Sequence, residues 1–238
     1  AYEIKLDENI VSIFPEQYTE AIKLVEGLEK IKSNVVLSID KKTGKMERIL
    51  NIKDLMDNWE NYKKKLNHKY SFLRDKKSVE GFVNFMNIAD KQISEKNALL
   101  AELNMKMPFA VFFDKYLISD VNLDEPYSMD FNSALFDKVG FPLEIKQKIE
   151  KESLDEVLLS RKGIMPKKLY CIDNIEKIYN EKYKPAVQYS FSTYNLDYSA
   201  ILLLNATEKI IKEAVVNIIE EVSNNVNLNI NFTMRMIK

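Results

Sequence analysis

Apolar and polar residues alternate without a break over residues 226–236. The apolar positions are Val226, Leu228, Ile230, Phe232, Met234 and Met236. Because successive side chains of a strand point to opposite faces, this period of two predicts a half-buried antiparallel strand. The Val- and Ile-rich run Ile210–Val222 precedes it. The intervening Ser223-Asn224-Asn225 suits a turn, since Asn tolerates positive φ. We therefore expect a hairpin here.

More strands are expected upstream in the C-terminal third. Tyr189, Phe191 and Thr193 alternate with other residues in the same way, and Tyr198–Leu204 is a continuous apolar run of strand length. Together with the hairpin, these segments predict a meander of three or four strands.

A second hairpin is predicted near the start of the chain. Val35–Ile39 is β-branched and apolar, and Met46–Leu50 provides the returning strand. Lys41–Gly44 lies between them, with Gly44 free to adopt positive φ. The two hairpins are similar in sequence, because Val36–Asp40 and Ile201–Asn205 each end in Asp or Asn and are followed by an apolar run at equal spacing. This likeness suggests two pseudo-duplicated halves.

The middle of the chain has helical spacing. Asn51 and Asp54 form a candidate cap, and they precede an apolar stripe of Leu55, Trp59, Tyr62 and Leu66. A longer helix is expected from Ser78 to Leu103, and Pro108 should prevent its continuation. Asp173 and Glu176 predict the start of a short helix that carries Ile175, Ile178 and Tyr179 and ends before Pro185.

Two segments fit more than one element. Pro15–Ile31 has apolar residues at helical spacing, although part of it also fits a strand, and we expect a helix. Phe141–Gly163 fits two strands. The alternative is a helix capped by Ser153 and Glu156 and ending at Gly163. We expect strands.

The fold class predicted from these patterns is α+β, with antiparallel β-meanders near both ends of the chain packed against central helices. The chain has 238 residues, which fits one large domain or two small ones. We expect a single domain over residues 1–238, with a candidate subdivision near 108–140.

Composition narrows the classes of partner. Hydrophobic residues make up 46% and charged residues 30%, which is typical of a globular chain and not of a disordered one. The net charge is −1, and the basic clusters Lys63–Lys65 and Lys76–Lys77 are short. A nucleic-acid partner is therefore not expected. No apolar run is long enough for a transmembrane helix, so none is predicted.

The sequence lacks the residue sets of common enzymes. His68 is the sole histidine and Cys171 the sole cysteine, so a four-ligand zinc site of Cys and His cannot form. The phosphate-binding and dinucleotide-binding glycine motifs are absent. Asp120, Asp124 and Glu125 lack the glycine of a calcium loop and are read as a polar loop. No catalytic, cofactor-binding or metal-binding residue is predicted.

Two features remain as candidates for binding or chemistry. Cys171 precedes a predicted helix, where a thiol could be acidified, although a structural role is the simpler interpretation. Aromatic residues cluster after Pro108, and this cluster either lines an apolar cavity or partner-binding patch or fills the core. Its members are Phe109, Phe112, Phe113, Tyr116, Phe131, Phe136 and Phe141.

These observations lead to a function hypothesis. We expect a non-catalytic binding or interaction protein of the bacterial envelope, which holds an unidentified apolar ligand or protein partner. The alternatives are an enzyme with a dispersed carboxylate and tyrosine site, and a cytoplasmic interaction protein. The chain begins with Ala1-Tyr2 and not with Met; this favours an exported protein, in the periplasm or cell envelope, whose signal peptide preceded Tyr2.

Overall fold

The structure is a computed structural model, and it describes residues 2–4, 19–118, 122–136 and 138–236. The chain forms two compact units. The first comprises Ala1–Asp40 and Lys45–Asn104, and the second comprises Lys41–Gly44 and Met105–Lys238. The main boundary between the two units lies between residues 104 and 105, just before the predicted subdivision at 108–140. The single-domain assignment stays a prediction.

The first unit combines a small antiparallel sheet with helices. Its elements are β1 (Tyr2–Ile4), α1 (Thr19–Ser33), β2 (Val35–Ile39), β3 (Met46–Ile49), α2 (Ile52–Lys69), α3 (Lys76–Ser94) and α4 (Lys96–Met105). The strand order is β1-β2-β3. The predicted N-terminal hairpin is thus confirmed, and Gly44 in its turn has a φ of 71°.

One of the two predicted helix starts of this unit needs correction, and the other is not tested. Asn51 precedes α2, but its side chain makes no capping hydrogen bond. Its Oδ1 accepts from the Val36 N–H at 2.8 Å, and its Nδ2 donates to the Asn34 carbonyl at 3.2 Å. Asn51 therefore stabilises β2 instead of the helix. α1 agrees with the predicted helix over residues 19–31, whereas Pro15 lies outside the described residues.

The long helix predicted from Ser78 to Leu103 is two helices. α3 ends where Glu95 adopts an extended conformation, with φ −89° and ψ 90°, and α4 begins at the next residue. α4 ends before Pro108, as expected, but Pro108 then lies in the first turn of another helix. A proline is favourable there because the first-turn N–H groups have no partner within the helix.

The second unit contains the larger sheet and short helices. Its elements are α5 (Met107–Phe112), a 3-10 turn (Lys115–Leu117), β4 (Tyr127–Asn132), β5 (Gly140–Glu152), β6 (Glu156–Ile164), α6 (Ile172–Lys182), α7 (Lys184–Val187), β7 (Tyr194–Asn205), β8 (Ile211–Val222) and β9 (Val226–Arg235). The strands β4 to β9 form an antiparallel meander in chain order, called here the C-terminal sheet. The predicted α+β class and its antiparallel sheets are confirmed.

One face of the C-terminal sheet carries the core of this unit. Alternate residues are buried from Tyr198 to Leu204 of β7 and from Ala214 to Val222 of β8, and the residues between them are partly or fully exposed, as a period of two requires. Ile175 and Tyr179 of α6 belong to the same apolar cluster. We call this the inner face.

Sequence patterns predicted most strands of this sheet. Phe141–Gly163 forms β5 and β6, as expected, and the Ser153 hydroxyl bonds the Glu156 backbone in the turn between them. Asn224 in the β8–β9 turn has a φ of 61°. Tyr189–Thr193 was predicted to be extended like a strand, but it belongs to no strand.

The start predicted for α6 was also wrong. The residue before the helix is Cys171 and not Asp173, and it makes no side-chain cap. Asp173 lies in the first turn, where a negative charge interacts favourably with the helix dipole. The predicted helix itself is confirmed, with Ile175 and Tyr179 buried.

Candidate functional site

An apolar pocket opens beside the first residues of β5. It has a volume of about 250 Å³ and is lined by Gly140, Phe141, Pro142, Pro166, Leu169, Tyr170 and Cys171. Phe141 connects the pocket to the core, because its ring lies 5.4 Å from that of Phe131 and 6.2 Å from that of Tyr194. Tyr170 lies at the pocket and is 90% exposed. The pocket therefore presents apolar surface to solvent.

Two prolines explain why the sheet is open at this point. The β5–β6 ladder ends with Glu144 opposite Ile164, and the same register would set Pro142 opposite Pro166 two positions further on. Proline has no N–H and cannot donate a ladder hydrogen bond. The chain after β6 therefore leaves the sheet, and the segment through Leu169 and Tyr170 forms one wall of the pocket.

Cys171 lines the pocket and precedes α6. The sequence suggested that this position could acidify the thiol. Instead, burial raises the pKa of the Cys171 thiol above its ordinary value. A raised pKa lowers the thiolate fraction at neutral pH, and the thiolate is the reactive form. The geometry thus favours a pocket wall over a nucleophile.

A buried ion pair lies elsewhere in the second unit. Arg161 Nη1 is 3.2 Å from Asp114 Oδ2, and the two side chains are 1% and 2% exposed. The Tyr127 hydroxyl donates to the same Asp114 oxygen, and Arg161 Nε donates to Gln147 Oε1 at 3.0 Å. Burial raises the pKa of Tyr127 well above its usual range, so its hydroxyl stays protonated.

Two polar atoms of this cluster are buried without a hydrogen bond of good geometry in the described part of the chain. These atoms are Arg161 Nη2 and the Tyr198 hydroxyl oxygen. Burial raises the pKa of Tyr198 to about 12. Tyr198 sits against Gly163, where an added Cβ would be 2.9 Å from the Tyr198 Cβ. Position 163 of the neighbouring strand β6 therefore has no room for a side chain beside Tyr198.

A second buried carboxylate organises the loop after β4. Glu220 of β8 is fully buried, and its Oε1 accepts from the Ala134 N–H at 2.7 Å. Its Oε2 accepts from the Tyr194 hydroxyl at 2.8 Å and from the Ser133 hydroxyl. Tyr183 donates to the carbonyl of Leu135 in the same loop. This carboxylate is well satisfied and has a structural role.

Sequence reasoning missed the buried charges of Arg161 and Glu220, although a signal existed for each. Arg161 follows Val157 and Leu159 at the apolar positions of β6, and Glu220 occupies an apolar position of β8. A charged residue in phase with buried apolar residues predicts a paired buried charge. Neither partner could be identified, because Asp114 and Ser133 are 47 and 87 residues away.

Most residues of the predicted aromatic cluster fill the interior. Those that are buried include Phe109, Phe113, Tyr116, Phe131, Phe136 and Phe141. Phe141 alone among the cluster members is also a pocket-lining residue in the described part of the chain. The cavity interpretation thus applies to one residue, and the core interpretation to the others.

The polar candidates do not converge. His68 is exposed near the C-terminal end of α2, as expected. Asp124 accepts a hydrogen bond from the Ile149 N–H at 3.2 Å, and Asp120 lies outside the described residues. Within the ranges that the structure describes, His, Cys, Asp and Glu form no group of three or more that could hold a metal ion.

Two further results bear on the class of protein. Among the described helices, none has the length and apolar character needed to cross a membrane. Comparisons of the chain with protein-family models, curated proteins and solved structures gave no match.

Proposed function

We propose that this chain is a non-catalytic binding protein of the bacterial cell envelope that holds a short apolar ligand in the pocket beside β5. The observation that carries the proposal is the apolar lining of this pocket together with the solvent-exposed ring of Tyr170. Covering an apolar surface with a ligand removes it from water, and this stabilises the complex by roughly 25 cal/mol per Å² of buried apolar surface.

The size of the pocket limits the ligand. Pockets for drug-sized molecules are roughly 300–1,000 Å³, and this one is about 250 Å³. It therefore suits a single short alkyl chain or one aromatic ring. The same chemistry would accept an apolar side chain of a protein partner, so partner binding is the second form of the proposal.

The buried ion pair supplies the best case for the enzyme alternative. Arg161, Tyr127 and Tyr198 have raised pKa values and lie beside the Asp114 carboxylate, an arrangement that catalytic sites often have. Each of these side chains is at most 6% exposed. A substrate would have no accessible polar group to bind, so a structural role explains the cluster better than catalysis.

The sole cysteine offers a direct test of ligand binding. We expect 1-octanol, as a short apolar probe, to slow the reaction of Cys171 with N-ethylmaleimide, because an occupied pocket covers the thiol. The measurement is the modification rate by mass spectrometry as a function of probe concentration. Hexane-1,6-diol, which carries polar groups at both ends of a short alkyl chain, should protect much less.

Two tyrosine variants provide a matched comparison. Tyr170→Ala should weaken protection by 1-octanol at least about threefold, since it removes about 0.7 kcal/mol or more of apolar contact. Tyr189→Ala changes a similarly exposed ring outside the pocket lining and should leave protection unchanged. Equal modification rates with and without probe would refute the ligand form of the proposal.

The location is a separate part of the proposal. A signal peptide encoded upstream of Tyr2 in the gene would support export to the envelope. A gene that encodes no export signal there would favour the cytoplasmic interaction protein instead.

A further inference from the structure

Strand β9 leaves one side of its backbone unpaired in the described part of the chain. The C-terminal sheet ends at β9, which pairs only with β8. The Met236 N–H donates to the Lys212 carbonyl, so these two residues form a hydrogen-bonded pair. Because such pairs alternate along an antiparallel ladder, the even-numbered residues of β9 bond β8. The odd-numbered residues direct N–H and C=O outward.

The opposite edge of the same sheet is protected in ways that β9 is not. β4 spans six residues, follows Pro126 and carries the exposed Asp130 at its centre. Natural proteins protect edge strands by shortness, proline, charge or bulges. β9 spans ten residues, has no proline, glycine or register shift, and its one charge, Arg235, pairs with Glu213 of its own chain at 3.2 Å.

The apolar side of β9 is also incompletely covered. The inward residues of β8, including Val216 and Ile218, are fully buried. Their register partners on β9, Phe232 and Ile230, are only partly buried, and the same holds for Leu228 and Met234. The apolar inner face is therefore fully covered at β8 but only partly covered at β9, the edge strand.

We infer that β9 pairs with β9 of a second copy of this chain, antiparallel and across a two-fold axis at Asn231. With that axis, Asn231 lies opposite its own symmetry mate, Asn229 opposite Thr233, and Ile230 opposite Phe232. Apolar residues meet apolar residues on the inner face, and polar residues meet polar residues on the other. This complementarity identifies a second copy as the partner, because an isologous interface must match itself.

The register of the two β9 strands follows from the outward-directed N–H and C=O groups of the odd-numbered residues. An axis at Asn231 pairs all five odd-numbered residues from Asn227 to Arg235, which gives about ten inter-chain hydrogen bonds. A shift of one residue would place apolar side chains opposite asparagines and is disfavoured. Arg235 lies opposite Asn227 in this register, so no like charges meet. This inference is independent of the pocket beside β5.

The test is the mass of the full chain in solution. Sedimentation equilibrium over a concentration series should give twice the chain mass of 27.8 kDa. Asn231→Pro removes an outward N–H and leaves the bonds to β8 in place, and Asn231→Lys places two like charges at the axis. Each should raise the dimer dissociation constant at least about tenfold. The control Asn217→Lys changes the neighbour of Asn231 on β8 and should have little effect.

An engineered inter-chain disulfide provides a second test, in which the variant should stabilise the dimer and not weaken it. In a Cys171→Ser background, Asn231→Cys should form an inter-chain disulfide, because a hydrogen-bonded antiparallel pair has a Cα separation of about 5.5 Å. Asn217→Cys, one strand further from the axis in each copy, should not. A wild-type chain that stays monomeric throughout the series, or a dimer that tolerates both Asn231 variants, would overturn the inference.

Discussion

Tyr194 and Tyr198 lie on the same inward side of β7, yet their hydroxyl groups have opposite environments. The Tyr194 hydroxyl donates to the buried carboxylate of Glu220 at 2.8 Å. The Tyr198 hydroxyl is buried without a hydrogen-bond partner in the described residues. A buried polar group without a partner costs about 1–3 kcal/mol. The two residues therefore allow a matched comparison on one strand.

Removing each hydroxyl should have a different effect on stability. Tyr194→Phe should lower the free energy of unfolding by about 1.5–3 kcal/mol, because a hydrogen bond to a charged group is lost. Tyr198→Phe should change the free energy of unfolding by less than about 1 kcal/mol, since its hydroxyl makes no hydrogen bond of good geometry and interacts with Arg161 mainly through charge. Urea denaturation at pH 7 measures both values. A larger loss for Tyr198→Phe than for Tyr194→Phe would contradict this assignment.

The same tyrosine predicts a response to alkaline pH. The pKa of Tyr198 is raised from 10.0 to about 12 by burial, so the folded state keeps its proton after the unfolded state has lost it. The contribution of this residue to stability is complete below pH 10 and falls as the pH rises towards 12, by up to about 3 kcal/mol. Tyr198→Phe should reduce that fall in the same denaturation experiment.

At the scale of elements, the two similar hairpins share a turn geometry. Asp40 N donates to the Lys45 carbonyl, and Asn205 N donates to the Ile210 carbonyl, both at 2.9 Å. Gly44 and Lys209 occupy the same place in the two turns and have φ values of 71° and 51°. Both ladders also shift register just before the turn. Turn chemistry thus accounts for the sequence likeness, and duplication of the halves stays a prediction.

Lys209 adopts a conformation that suits glycine better. The left-handed region costs a residue with a Cβ about 1–2 kcal/mol, partly offset by the larger entropy that glycine loses on folding. Lys209→Gly should therefore stabilise the protein by about 0.5–1 kcal/mol in thermal or urea denaturation. Thr207→Gly, in the same turn but without positive φ, should not stabilise it. A destabilised Lys209→Gly variant would show that the lysine side chain matters more than its backbone.

Periodicity predicted the elements better than local signals predicted their ends. The period of two in β9 is visible in the sequence because one side faces the interior and the other faces solvent. Helix caps were less predictable, since the side-chain amide of a candidate cap residue can form hydrogen bonds with the backbone of a strand instead of the helix. Asn51 bonds the backbone of Val36 and Asn34, and nothing local to Asn51 encodes that choice. The sequence identified Phe141 as a candidate cavity residue but not the rest of the pocket, because the pocket depends on two prolines, Pro142 and Pro166, that are distant in sequence.

At the scale of the whole molecule, the second unit contains an extensive apolar core of its own. The apolar cluster of the C-terminal sheet includes buried residues from Val111 to Val222, and no residue of the first unit's helices is among its described members. Burial within this cluster supplies the main favourable free energy of such a unit. The sequence could predict the sheet and the helices of both units, but not where packing divides the chain.

Residues 105–238 should therefore fold when expressed alone. We expect a far-ultraviolet circular dichroism spectrum dominated by β structure and a single cooperative thermal transition. A matched fragment, residues 105–193, lacks β7 to β9 and should show no such transition, because β6 would lose its neighbour. A 105–238 fragment without cooperative unfolding would show that its core requires the first unit.

The connection between β6 and β7 has a consequence for how this unit folds. The strands β4 to β6 and β7 to β9 are each joined by short loops, whereas residues 165–193 separate the two sets and include α6 and α7. Each set can form by closing short loops, but joining them requires a longer closure with a larger entropy cost. Helix α6, which packs on the inner face, belongs to that same connection. The pairing of β6 with β7 and the burial of α6 should therefore occur together, as one late and rate-limiting step of folding.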